Sequence, residues 1–163
     1  QPYKGTRLTP EGTQIAISIL RKHRLWETFL VEKLGFGWEE VHDIAEQLEH
    51  IRSPKLTERL AQYLGNPQFD PHGDPIPDAQ GIFPKRENLT LDKASANDKL
   101  VIKGVKDSSP DFLNYVAKLG ISLGDELKVL QIEPFDGSVL LHHKEEELRL
   151  SAQAAGNIYV SRS

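Results

Sequence analysis

Apolar residues recur at helical spacing through the first part of the chain and at every second position through the last. Ile15, Ile19, Leu20, Trp26, Phe29 and Leu30 follow a 3.6-residue period. Thr9 offers an N-cap hydroxyl, Pro10 suits the first helical position and Glu11 sets an anion at the positive end of the helix dipole. A helix should run from there to about Leu34 and stop at Gly35. A second is predicted from near Trp38 to about Ile51, turning Val41, Ala45 and Leu48 inward. Ser53 and Pro54 repeat the cap-then-proline signal and open a third, which carries Leu56, Leu60 and Leu64 and closes at Gly65. Three helices with one apolar stripe each make a small bundle whose unmet apolar surface suits a dimer. Trp26 and Trp38 are expected in that core or dimer contact.

From Gly65 to Arg86 the periodicity is lost and five of the ten prolines gather. Proline fixes φ and removes a donor, so an ordered or semi-rigid connector is expected. Beyond it the period drops to two. Leu100, Ile102 and Val105 fit one strand and Leu127, Val129 and Leu130 to Ile132 another, with Asp136-Gly137 turning the chain into Val139 to His142. Ser109-Pro110 opens a short helix with Phe112, Leu113, Val116 and Leu119, ended by Gly120. Leu148, Leu150, Ile158 and Val160 supply the last strands. The fold class is therefore α+β in two domains: a helical bundle over 9–69, a Pro-rich connector over 70–90 and a small β-barrel over 91–163.

Composition narrows the setting. With 163 residues, 38% of them hydrophobic, the chain can bury one sizeable core or two small ones. No apolar run approaches the roughly 20 residues that span a bilayer, so a cytoplasmic protein without membrane partners is expected. A net charge of -4 argues against a broad nucleic-acid surface within these residues. The absence of cysteine removes disulfides and thiolate metal sites. The chain begins QPYKGTRL without a methionine, and is expected to be a fragment of something longer.

The helices carry the candidate chemistry. His23 and Glu27 at i, i+4 share one face, as do His42, Glu46, Glu49 and His50 at i, i+4, i+7, i+8. Two such faces opposed make a cavity of imidazole nitrogens and carboxylate oxygens without sulfur, which suits a first-row divalent cation.

The sequences LTPEG at 8–12, RKHRLWE at 21–27, VHDIAEQLEH at 41–50 and DPHGDPIP at 70–77 resemble the diphtheria toxin repressor and manganese transport regulator (DtxR/MntR) family of bacterial metal-dependent repressors. The likeness covers nearly the whole chain from shortly after the family's winged-helix DNA-binding domain, and makes residues 1–8 a remnant of that domain's wing or strand. It implies that the barrel is the SH3-like domain of many members. His23, Glu27 and His42 stand where the family has its ancillary metal site; Glu46, Glu49 and His50 stand where the primary, DNA-activating site takes three of its ligands, the others coming from the absent N-terminal helix. Asp107 matches a barrel residue that reaches the ancillary site in three-domain members, whereas Gly104 falls where another member places a glutamate. Iron-responsive members usually have cysteine at the position of Glu46 and manganese-type members glutamate, so Mn²⁺ is the expected ion, Fe²⁺ the second, with Zn²⁺, Co²⁺ or Ni²⁺ binding in vitro. The resemblance implies a homodimer through the helical domain, operator DNA bound by the full-length protein and not by this fragment, and repression of metal-uptake genes.

Other readings compete. Glu39 and His42 form an E-x-x-H spacing of the kind found in di-metal carboxylate enzymes, but one copy occurs, and no nucleophile–base pair or phosphate loop accompanies it. Catalysis is not expected; a metal storage or carrier module is the other non-enzymatic reading. Asp107 also suits a turn or N-cap. His142 and His143 adjoin on a strand, point to opposite faces and are expected at the surface, and His72 is expected to be a connector residue without a metal role.

Overall fold

A computed structural model describes residues 7–85 and 89–163. The expected terminal strand over 1–8 lies outside the described residues except for Arg7 and Leu8. The chain divides into two compact units: residues through Asp70 together with Pro75–Pro84, and Pro71–Asp74 together with the chain from Lys85 on. The proline-rich stretch is thus shared between them.

The first unit holds α1 (Pro10–Leu34), α2 (His42–Leu48) and α3 (Pro54–Tyr63). The Thr9 hydroxyl accepts the Gly12 N–H at 3.0 Å, and α1 closes where Gly35 takes φ +74°, with Gly35 and Phe36 donating to the carbonyls of Val31 and Leu30. α3 has the same start, the Ser53 hydroxyl accepting from Leu56 N–H. Leu25, Leu60, Ala61 and Ile76 form one core, and Leu30, Val41 and Ala45 a second; Trp26 packs against both. Ile76 comes from the proline-rich stretch, where its N–H bonds the Gln68 carbonyl at 2.8 Å and Phe69 bridges Pro75.

α2 is shorter than its apolar pattern predicts. At its start the Glu40 carboxylate accepts the Gly37 N–H at 2.9 Å, which folds residues 37–40 into a turn instead of a first helical turn. At its end the Ile51 N–H reaches back to Leu48 O, a tighter three-residue closure, before Pro54 opens the next helix. Glu49 is therefore a C-cap residue, and His50 lies beyond the helix.

The second unit is a five-stranded antiparallel sheet in the order β4-β3-β2-β1-β5, with β1 (Lys99–Val105), β2 (Glu126–Ile132), β3 (Val139–His143), β4 (Glu146–Leu150) and β5 (Ile158–Arg162). Register shifts between Ile102 and Gly104 and between Val129 and Gln131 bend this SH3-like sheet. Its inward faces bury Leu100, Ile102, Val129, Val139, Leu141, Leu150, Ile158 and Val160. α4 (Pro110–Lys118), capped by Ser109, adds Leu113 and Val116. A short α5 (Ala152–Ala155), which the sequence pattern does not announce, is capped by the Ser151 hydroxyl. Gly73, at φ +80°, is required by close approach: a Cβ there would stand 2.1 Å from Lys103 O.

One surface expectation fails. His143 is buried, and its Nε2 lies 2.8 Å from Asp125 Oδ2, which also accepts from Ser122 N–H and lies 3.3 Å from Lys144 Nζ. Burial would raise the Asp125 carboxyl, but these partners hold it below the usual carboxylate range. His142, on the opposite face, is exposed as alternation requires. Among the described residues no helix is long and apolar enough to cross a membrane.

Candidate metal centre

α1 carries His23 and Glu27 one turn apart on the side facing α2, and His42 is the first residue of α2. The contact of Leu30 with Val41 and Ala45 fixes the two helices, so the three side chains meet at the polar edge of an apolar seam. His23 Nε2 lies 3.0 Å from Glu27 Oε1 and 3.2 Å from His42 Nδ1, and His42 Nδ1 lies 3.4 Å from Glu27 Oε1. Glu27 is 3% exposed, while the side chain of His42 is 69% exposed, so the centre has a dry floor and an open mouth.

These separations match neighbouring donors on one ion. Nitrogen and oxygen ligands about 2.1 Å from a common centre stand roughly 3.0–3.4 Å apart. Two imidazoles and a carboxylate, without sulfur, are a donor set that Mn²⁺, Fe²⁺ and Zn²⁺ all accept. The residues therefore fit a divalent cation, which His23, Glu27 and His42 would hold and which would supply charge neutralisation and a crosslink between α1 and α2.

Glu49 backs the centre. Its Oε2 lies 2.7 Å from His23 Nδ1, the nitrogen turned away from Glu27 and His42. A carboxylate on the far nitrogen of a ligating histidine orients the ring and raises its basicity. With Nδ1 donating to Glu49 and Nε2 facing Glu27, the metal-free imidazole is best matched when both nitrogens carry protons. Burial acts to lower the His23 pKa, but the two carboxylates prevail and hold it above the ordinary histidine value of 6.5. Lys22 donates through Nζ to the Glu49 carbonyl and ties down the same cap.

The structure thus brings together His23, Glu27, His42 and Glu49. Glu46 and His50 are exposed, and their ligand atoms do not converge with Glu49 to within 4.8 Å among the described residues. The one-face reading of 46, 49 and 50 assumed a helix that in fact ends at Leu48. Asp107, in the second unit, accepts the Ser109 N–H at 2.9 Å in a turn leading to α4; that backbone bond holds its carboxyl below the usual range.

Sequence spacing missed two neighbours on the inner side. The Asp70 carboxylate is buried, with an oxygen within 4.8 Å of that of Glu27. Arg24 Nε lies 3.5 Å from Asp70 Oδ2, and Arg24 Nη1 donates to Pro75 O. The sequence signal available was the arginine beside His23, on a face otherwise turned inward.

Comparison with known proteins gives two family matches: residues 9–78 fit the iron dependent repressor, metal binding and dimerisation domain, and residues 89–162 fit the FeoA domain. The iron-dependent repressor IdeR of Mycobacterium leprae is 42% identical over 94 residues, 58% of this chain and 39% of that protein. A solved manganese-dependent transcriptional repressor in complex with manganese is 40% identical, with a TM-score of 0.82 over 96% of this chain and 75% of the other. Another solved structure of a manganese-dependent transcriptional repressor is 41% identical, with a TM-score of 0.78, and is covered over 86% of its length. The chain spans well under half of the curated mycobacterial relative.

Proposed function

Because this chain belongs to the diphtheria toxin repressor and manganese transport regulator family, we propose that it is the metal-sensing and dimerising part of a repressor controlling divalent-metal uptake genes. The observation that carries the reading is the triangle of His23 Nε2, Glu27 Oε1 and His42 Nδ1, with Glu49 behind His23. His23 and Glu27 come from α1 and His42 from α2, so donors from both helices on one cation fix the angle between them. Only the arrangement that holds all three donors is stabilised, so cation binding shifts a population.

In this reading Glu46, Glu49 and His50 form the second, DNA-activating set and are completed by an N-terminal helix of the DNA-binding part. An open groove supports that role: Ile15, 61% exposed, and Ile19 line it together with Glu49 and His50. A helix seated there would cover the two isoleucines and bring its own donors to the pair. Glu49 then has two duties, since its carboxylate already meets His23. The longer protein homodimerises through the helical unit, binds operator DNA when loaded and acts in the cytoplasm; Asp107 is assigned to the ancillary set. Mn²⁺ is the assigned ion, on the carboxylate at position 46, with Fe²⁺ second.

Glu46→Ala in a longer protein containing this chain should weaken Mn²⁺ affinity and abolish metal-dependent operator binding in a gel-shift titration. The present residues alone should not shift the operator. Unchanged affinity together with unchanged operator binding in the Glu46→Ala protein would overturn the assignment.

A further inference from the structure

We propose that Lys22 is a positioning residue of the centre: it holds the main chain of Glu49 at the end of α2, keeps the Glu49 carboxylate on His23 Nδ1 and thereby strengthens cation binding by His23, Glu27 and His42. The inference rests on the metal-sensing reading and concerns a side chain that is not itself a ligand.

The end of α2 is weak on its own terms. A helix leaves its last carbonyls without partners and its C-terminal end partly negative, where a cation stabilises and an anion does not. α2 has seven residues and no basic side chain in its last turn; that turn carries Glu46 and leads to the C-cap residue Glu49. The cation comes from α1, where Lys22 Nζ donates to the Glu49 carbonyl. α2 is thus held at both ends, near its start by Val41 and Ala45 against Leu30 and at its cap by Lys22.

Lys22 and His23 are consecutive, so their side chains leave α1 about 100° apart, and they take different parts of one residue. Lys22 takes the Glu49 carbonyl, while His23 Nδ1 lies 2.7 Å from Glu49 Oε2. A glutamate side chain has several rotamers, and Glu49 also lines the open groove with His50, so its carboxylate has elsewhere to turn. With the main chain fixed by Lys22, the carboxylate meets His23 at a lower cost in entropy. The His23 ring is then oriented with Nε2 toward Glu27 and His42, as cation binding requires. The charge of Lys22 acts in the opposite sense, since an ammonium close to the centre repels a dication. Loss of Lys22 therefore raises affinity if charge is all it supplies, and lowers it if position is what it supplies.

Mn²⁺ titration calorimetry of the whole chain reads that sign. Lys22→Met keeps the stem and removes the donor; it should lower affinity about fivefold with unchanged stoichiometry, within the range of coupling between residues in contact. Lys22→Arg, which restores a cationic donor, should keep most of the native affinity. In a Glu49→Ala protein, where no carboxylate is left to position, Lys22→Met should cost nothing further. Native or raised affinity in Lys22→Met, a Lys22→Arg protein as weak as Lys22→Met, or an equal loss with and without the Glu49 side chain each overturns the proposal; the last is what a general loosening of the fold produces. Lys22→Ala, with the best helix former at that position, decides in the same way where Lys22→Met does not fold. His23→Ala is the control: native affinity there would refute the centre itself, a different failure from that of Lys22.

Discussion

At the scale of the residue, His23 concentrates the chemistry. Its pKa stands above 6.5 because Glu27 and Glu49 outweigh the cost of burial. The imidazolium therefore stabilises the metal-free fold fully below pH 6.5, and that contribution is lost as pH rises through the raised value. Cation binding runs the other way, since Nε2 must give up its proton. Mn²⁺ affinity measured by calorimetry should rise with pH, with its midpoint above 6.5; a midpoint below 6.5 would show that the carboxylates do not control the ring. Glu49→Gln removes the charge behind Nδ1 and should cost at least about tenfold in affinity while shifting that midpoint down. An affinity change without a pH shift would mean that Glu49 acts otherwise than through His23. The pairing of His23 with Glu27 was legible in the sequence because i, i+4 spacing needs only a helix, whereas spacing put His42 with Glu46, Glu49 and His50 and only the family resemblance joined it to the first pair. The Glu49–His23 bond and the Glu27–Asp70 approach were not legible, because both depend on where distant elements cross.

At the scale of the element, α1 and α3 could be read to within a residue, since each begins with a hydroxyl and proline and each is followed by a left-handed glycine. α2 could not, because the Glu40 carboxylate captures Gly37 N–H and the end tightens after Leu48, neither of which appears in an apolar pattern. α5 escaped because AQAA has no apolar stripe and depends on the Ser151 cap. His143 escaped because its partner Asp125 precedes β2 while His143 ends β3. The α1–α2 seam makes a prediction of its own. Leu30, 3% exposed against Val41 and Ala45, should cost about 3 kcal/mol in denaturant unfolding when changed to alanine. The same change should weaken Mn²⁺ binding, since it loosens the spacing of His42 from His23; native affinity in a destabilised Leu30→Ala would separate the seam from the centre.

At the scale of the whole molecule, linkage joins binding to stability. A ligand that binds only the folded protein at 100 times its dissociation constant stabilises it by about 2.7 kcal/mol. Mn²⁺ should raise the thermal midpoint of the native chain accordingly and leave that of Glu27→Gln nearly unmoved, as read by calorimetric scanning. Equal shifts in both would place the ion elsewhere. The helical unit also leaves Leu34, Leu56 and Tyr63 between 40% and 67% exposed, more apolar surface than scattered exposure requires. Sedimentation equilibrium should accordingly return a dimer. If His23, Glu27 and His42 hold one divalent cation between α1 and α2, anomalous diffraction from crystals of this chain grown with Mn²⁺ will locate it there. A manganese peak about 2.1 Å from His23 Nε2, Glu27 Oε1 and His42 Nδ1 is expected; a saturated crystal with its manganese elsewhere and these three side chains unligated would contradict a centre between the two helices.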